Sequence, residues 1–221
     1  MRYLIRAGTL PELKRLIGRV RKIAEGAALM TETRVEAKVI SGVANLLGNA
    51  PLERAMQDNF DRLGPPPFDA ADRAKAAEYQ ATLTEEDIAS SWRKTGLPQR
   101  DVPLCDAVVP LEARGAPMIG STDVGDVSWV VPTVQARGAT YAIGTPGHSW
   151  QLTGQGMLPA AHKGMVHVAK VMAGTAVDAI RDPDLVARAK ADLAARTART
   201  PYESPMPPDV TPPLGMSKGA A

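Results

Sequence analysis

The segment "RYLIRAGTLPELKRLIGRVRKIAEGAALMTETRVEAKVIS", residues 2–41, changes its hydrophobic period twice. In "RYLIRA" Tyr3 and Ile5 alternate with Leu4 and Arg6, the period-2 pattern of a strand. Thr9 and Glu12 then stand at capping-box spacing, where a hydroxyl and a carboxylate meet the free amides of a helix start. Leu13, Leu16, Ile17, Val20, Ile23, Ala24 and Ala27 continue with a helical period, and Lys14, Arg15, Arg19, Arg21 and Lys22 occupy the other sides. Those cations are either a solvated face or a site for phosphate or an acidic partner. In "TRVEAKVIS", Val35, Ala37 and Val39 alternate with Glu36, Lys38 and Ile40, which predicts a second, half-exposed strand. Strand, helix and strand in so short a stretch predict part of a small α/β layer. A domain opening inside a strand carries the further expectation that chain precedes it.

Outward from this segment the pattern is mostly helical, then broken. Asn49 and Pro51 open a helix whose stripe is Leu52, Met56, Phe60 and Leu63, with Gly64 as the stop. Three prolines, 65–67, make a stiff break, and helices are expected over Asp69–Leu83 and Thr84–Thr95. Between Leu97 and Gly156, "DAVVPL", "SWVVPTVQA" and "ATYAIG" read as strands joined by Gly- and Pro-rich loops. Pro132 restricts its segment to an edge strand, a bulge or a loop. A long helix is expected over Leu158–Ile180, burying Met165, Ala169, Met172, Ala176 and Ile180, and Asp182-Pro183 starts a last one to Ala198. The proline-rich residues 201–221 either wrap the surface or stay without fixed structure.

Composition removes several classes of function. The 221 residues carry a net charge of +2, too small a footprint for nucleic acid or an anionic membrane. Apolar runs fall well short of the ~20 residues of a membrane span, and the first residues lack a signal-peptide pattern. The single cysteine, Cys105, rules out an internal disulfide and suits a reducing compartment, so a cytoplasmic location is expected.

Few residues invite chemistry. In "GSTDVGDVSW", residues 120–129, Asp123 and Asp126 could bind a metal, orient a histidine, accept substrate hydrogen bonds, or simply cap turns. His148, in the glycine- and proline-punctuated "GTPGHSW", could be a metal ligand, an acid/base or a structural turn residue. His162 and His167 are five apart on a helix, a spacing that does not give a shared metal-binding face. Arg6 could clamp a carboxylate through its planar fork, or be an ordinary surface arginine.

Together "GSTDVGDVSWVVPT" and "GTPGHSWQ" resemble the late catalytic-domain loops of the co-catalytic metallo-amidohydrolases, the clan of aminoacylases, indole-amino-acid hydrolases and bacterial glutamate carboxypeptidases. Within that clan the chain is most similar to the aminobenzoyl-glutamate utilization B subunits, and residues 3–49 resemble the second half of the family's lid, or dimerisation, domain. The resemblance implies a partial two-domain metallopeptidase-like α/β fold: a partial lid over 1–48, the C-terminal part of a catalytic domain over 49–200, and a tail over 201–221. It implies hydrolysis of an acyl- or aroyl-amino acid amide by two divalent ions, zinc or manganese, with a glutamate as general base.

By position, His148 matches the family's last metal ligand, Arg6 the lid arginine that binds the substrate carboxylate, and Asn49 a residue at the return from the lid. Asp123 and Asp126 match acidic residues that support the site. No segment matches the family's other metal ligands or its general base. The adjacent Glu85 and Glu86 fall in a helical context in the wrong place in the order. The expectation is therefore a C-terminal half, inactive until an N-terminal half is supplied, which acts on a small amide and forms homo- or hetero-oligomers through the lid. The alternative is a non-catalytic interaction or regulatory subunit that keeps the lid for association.

Overall fold

The computed structural model describes residues 1–113, 115, 120–211 and 214–215. Among them are eight helices: α1 (Leu10–Met30), α2 (Ala50–Leu63), α3 (Ala70–Gln80), α4 (Glu85–Thr95), α5 (Val124–Ser128), α6 (Trp150–Gln155), α7 (Pro159–Arg181) and α8 (Pro183–Thr197). The starts follow local chemistry. Thr9 accepts from the Glu12 amide, and Asn49 from the Leu52 amide. Asp69 with Asp72 and Thr84 with Asp87 form reciprocal capping boxes. Gly64 and Gly96 close α2 and α4 in positive-φ conformations that a side chain would resist.

The expected α/β fold is not what forms: among the described residues there is no strand and no sheet. Residues 2–7 and 33–41 are irregular, with Tyr3, Leu4, Val35 and Ile40 exposed. Alternation marks a segment able to lie on a pleated surface, but a strand exists only where a neighbour completes its ladder. In "ATYAIG" the backbone donors go elsewhere. Ala142 N–H bonds Gln155 Oε1 (2.7 Å), Ile143 N–H bonds Pro103 O (2.8 Å), and Gly144 N–H bonds Ser91 Oγ (3.1 Å). "SWVVPTVQA" begins on the last residue of α5, and Pro132 removes one of its donors.

The chain divides into two compact units. The first comprises Met1–Leu47, Gly120–Val131 and Arg196–Ala221. Its core is Leu10, Ala44 and Trp129, flanked by Leu13, Leu47 and Tyr202. Here α5 is sutured to residues 44–47: Trp129 Nε1 donates to Asn45 O (2.8 Å), and Ser128 Oγ accepts from Leu47 N–H (2.8 Å).

The second unit comprises Gly48–Ile119 and Pro132–Ala195. In it α2 packs on α7, and Phe68, Ala76, Leu104, Ala142 and Ala160 make the core. Asn59 Nδ2 donates to the Asp178 carboxylate (2.6 Å), and a His167 Nε2–Gly64 O contact of 2.7 Å ties α7 to the end of α2. The face of α7 predicted for the core is not the one used. Ala160, Ala161, Gly164, His167, Val171 and Thr175 are buried, while Met165, Met172 and Ile180 are 60%, 54% and 80% exposed. Close approach selects the small-residue face: a Cβ on Gly164 would stand 1.9 Å from Ala139 O. Among the described residues no helix is long and apolar enough to cross a membrane.

Candidate functional site

His148 sits at the end of a loop whose shape is enforced from several sides. Gln155, on α6 and buried, accepts from Ala142 N–H and donates to Thr145 Oγ1 (3.0 Å) and Gln151 O (3.1 Å). Thr145 in turn donates to Ala142 O (2.7 Å), and Gln80 Nε2 donates to Ile143 O (3.1 Å). Gly144 takes φ 98° with Ile88 packed beside it, so a side chain there would be strained and crowded. Ser149 starts α6 by accepting from Leu152 N–H (3.1 Å), and its hydroxyl donates back to Pro146 O (2.8 Å).

Between these anchors His148 is exposed and holds φ 59°. A left-handed backbone is uncommon for a residue with a side chain, although histidine tolerates it better than most. The loop therefore presents an imidazole to the outside from a backbone that is bonded on both flanks. Trp150, the next ring along, is exposed and tilts against Tyr79 at 6.1 Å. Gln155 also lines a cleft of about 280 Å³ whose walls are mainly apolar, including Leu104, Leu158 and Ala160, and to which Asp69 and Asp72 contribute. Lys163 donates to both carboxylates (2.7 and 2.5 Å), and Asp69 also accepts from the Asp72 amide. The Lys163 ammonium, helped by that amide, holds the Asp69 carboxyl down at about 2.

Asn49 belongs to the same unit as His148 and is buried. Its Oδ1 caps α2, its Nδ2 donates to Ala189 O (2.9 Å), and its own N–H bonds Glu53 Oε1 (3.2 Å).

Arg6, Asp123 and Asp126 lie in the other unit. Arg6 is exposed. Asp123 is also exposed and occupies the start of α5 without capping it; its Oδ1 accepts from the Thr122 hydroxyl at 3.5 Å. Asp126 is fully engaged, with Oδ2 accepting from Ala44 N–H (3.2 Å) and Oδ1 from the Tyr202 hydroxyl (2.7 Å). Burial, and then the Asp126 hydrogen bond, raises the Tyr202 phenol above its ordinary range.

Sequence reasoning missed Gln155 and Tyr202. Gln155 meets Thr145 and Ala142, 10 and 13 positions away, and Tyr202 meets Asp126 across 76. No short-range pattern marks either residue. For the divalent ion that the resemblance implies, the fit is incomplete: among the described residues no three His, Cys, Asp or Glu side chains converge as a metal-holding group. His148 is a donor without companions on these residues, and they do not make such a site by themselves.

No protein-family model matches the chain, and no solved structure does. Among curated proteins it is 40% identical, over 95% of its own length, to the B subunit of p-aminobenzoyl-glutamate hydrolase from Escherichia coli (strain K12). It spans about half of that protein, 46% of its length. The chain is therefore a relative of the p-aminobenzoyl-glutamate hydrolase B subunit, matching that protein's C-terminal part.

Proposed function

We propose that the chain contributes one part of an amide-hydrolysing site for an acyl- or aroyl-amino acid of the p-aminobenzoyl-glutamate kind, and that turnover requires further polypeptide. One observation carries the reading. An exposed imidazole is held on a backbone-pinned loop, in a chain 40% identical to a protein named as that hydrolase. In this reading His148 is one donor to a divalent ion, zinc or manganese, whose other ligands come from outside the described residues. A backbone pinned this way fixes where the imidazole is carried before any ion arrives, so little backbone freedom is lost on binding.

Arg6 offers its guanidinium fork to the substrate carboxylate. Asp123 keeps acceptor capacity available near its loop. Asp126 has a supporting role within its own unit, holding the backbone at Ala44, and Asn49 one in the unit of His148, where it caps α2.

The test is release of p-aminobenzoate from p-aminobenzoyl-glutamate with zinc or manganese added. It compares the chain alone, the chain co-expressed with the part of the E. coli relative it does not match, and His148→Ala in both settings. The expected result is no release by the chain alone, release by the pair, and loss of about 100-fold or more on His148→Ala, since the substitution removes an inner ligand rather than one of its supporting groups. Release by the pair that is unaffected by His148→Ala overturns the role given to that residue. The relative's own designation as a subunit favours a second reading, a chain that associates without doing chemistry. A stable pair with no release, with or without His148, is its signature.

A further inference from the structure

The cleft in the second unit brings apolar side chains together with an incompletely bonded carboxylate. Leu104, Leu158 and Ala160 give it apolar lining, and Ala71 lines it from an exposed position on α3. Asp72 lines it as well, with a side chain only 3% exposed. Both bonds to that carboxylate end on one oxygen: Oδ2 accepts from Asp69 N–H (3.0 Å) and from Lys163 Nζ (2.5 Å). Oδ1 accepts from no group among the described residues.

The charges of the lining leave one negative charge uncompensated. Asp69 and Asp72 share the single ammonium of Lys163, and Lys75, also in the lining, is engaged with Glu78 (2.5 Å). Gln155 does not supply the missing donor, because its Nε2 already donates to Thr145 and Gln151. A carboxylate withdrawn from water is stable only where donors meet its oxygens. Water fills a mainly apolar cleft poorly, since it finds few of the polar partners it needs. A molecule that brings a cation on an apolar body meets both demands.

We propose that the cleft is a binding site for a small primary amine, its apolar body among Leu104, Leu158 and Ala160 and its ammonium donating to Asp72 Oδ1. Charge selects that class. A ligand bearing a carboxylate meets two aspartates whose shared cation is already engaged, and a neutral alcohol donates a hydrogen bond without the ionic contribution. The volume, about 280 Å³, is at the small end for ligand pockets and suits a single ring or a short branched chain. The proposal depends neither on amide hydrolysis nor on His148.

Phenethylamine is the probe, with phenethyl alcohol and ethylamine as controls, each titrated into the chain and followed by NMR. Phenethylamine should bind saturably, one molecule per chain, in the millimolar range or tighter, with its ring protons in contact with methyl groups of Leu104 and Leu158. Phenethyl alcohol lacks the cation and should bind about tenfold more weakly or worse. Ethylamine lacks the ring and should lose about as much. Ala71→Trp enlarges an exposed lining residue without touching a charge. It should weaken phenethylamine by about tenfold or more at an unchanged melting temperature. Asp72→Asn should weaken it similarly, and the alcohol carries the test of charge should that variant fail to fold. No saturable binding, ring contacts away from those leucines, or an affinity unmoved by Ala71→Trp overturns the site. Equal affinities for the amine and its alcohol overturn the pairing with Asp72. Equal affinities for phenethylamine and ethylamine overturn the apolar cleft as the seat of binding.

Discussion

At His148 a single dihedral links local strain to presentation of the ring. The positive φ costs a side-chain-bearing residue free energy that the Gln155, Ser149 and Gln80 hydrogen bonds around the loop must offset. Valine, branched at Cβ, is far less tolerant of that backbone than histidine, so His148→Val should destabilise by about 1–2 kcal/mol. His148→Gly should leave the urea midpoint unchanged or slightly raised, because any relief of strain works against the greater freedom of glycine in the unfolded chain. Equal losses for Val and Gly would remove the argument from strain.

Asp69 sets a second residue-scale expectation. Its carboxyl lies at about 2 against an ordinary 3.8, chiefly through the hydrogen bond from Lys163, and then through the Asp72 amide. A group depressed in the folded state stabilises above its unfolded pKa and loses that contribution as pH falls through the folded one. The contribution is therefore complete above about pH 4 and gone below about pH 2. Lys163→Met should move the Asp69 midpoint upward, read from its carboxyl carbon shift in an NMR titration. An unmoved midpoint would mean that the ammonium is not the cause.

Among elements, α7 sets two preferences against each other at Gly164. Alanine is the better helix former by about 1 kcal/mol. Its Cβ would come within 1.9 Å of Ala139 O, where backbone rather than a flexible side chain must yield. Overpacking of that kind costs about 1–3 kcal/mol, so the net effect of Gly164→Ala should be a loss of stability, read as a lower urea midpoint with an unchanged slope. A stabilised variant would show that the contact relaxes at little cost. The same contact explains why the helix turned its small-residue face inward. Periodicity identifies the apolar faces of α7, and only the neighbouring backbone decides which of them is packed within the unit.

Across the whole molecule, what could be read from sequence is what neighbours along the chain control. Helix starts at Thr9, Asn49, Asp69 and Thr84 were legible because a cap and its amide partner lie within four residues. The loop holding His148 was legible for the same reason, through its glycines and proline. The expected strands were not decided locally: residues 2–7, 33–41 and 139–144 have the pattern of strands, but a pattern does not supply a ladder partner. Of the candidate site, the sequence offered residues whose side chains are capable of chemistry, His148, Arg6, Asp123 and Asp126 among them. Tertiary structure decided what each does with its side chain. Asp126 closes on Ala44 and Tyr202, 82 and 76 positions away, while His148 stays open to the outside. Hydrogen bonds between distant segments and close backbone packing depend on which surfaces meet. That information belongs to the assembled chain, and no stretch of a few residues contains it.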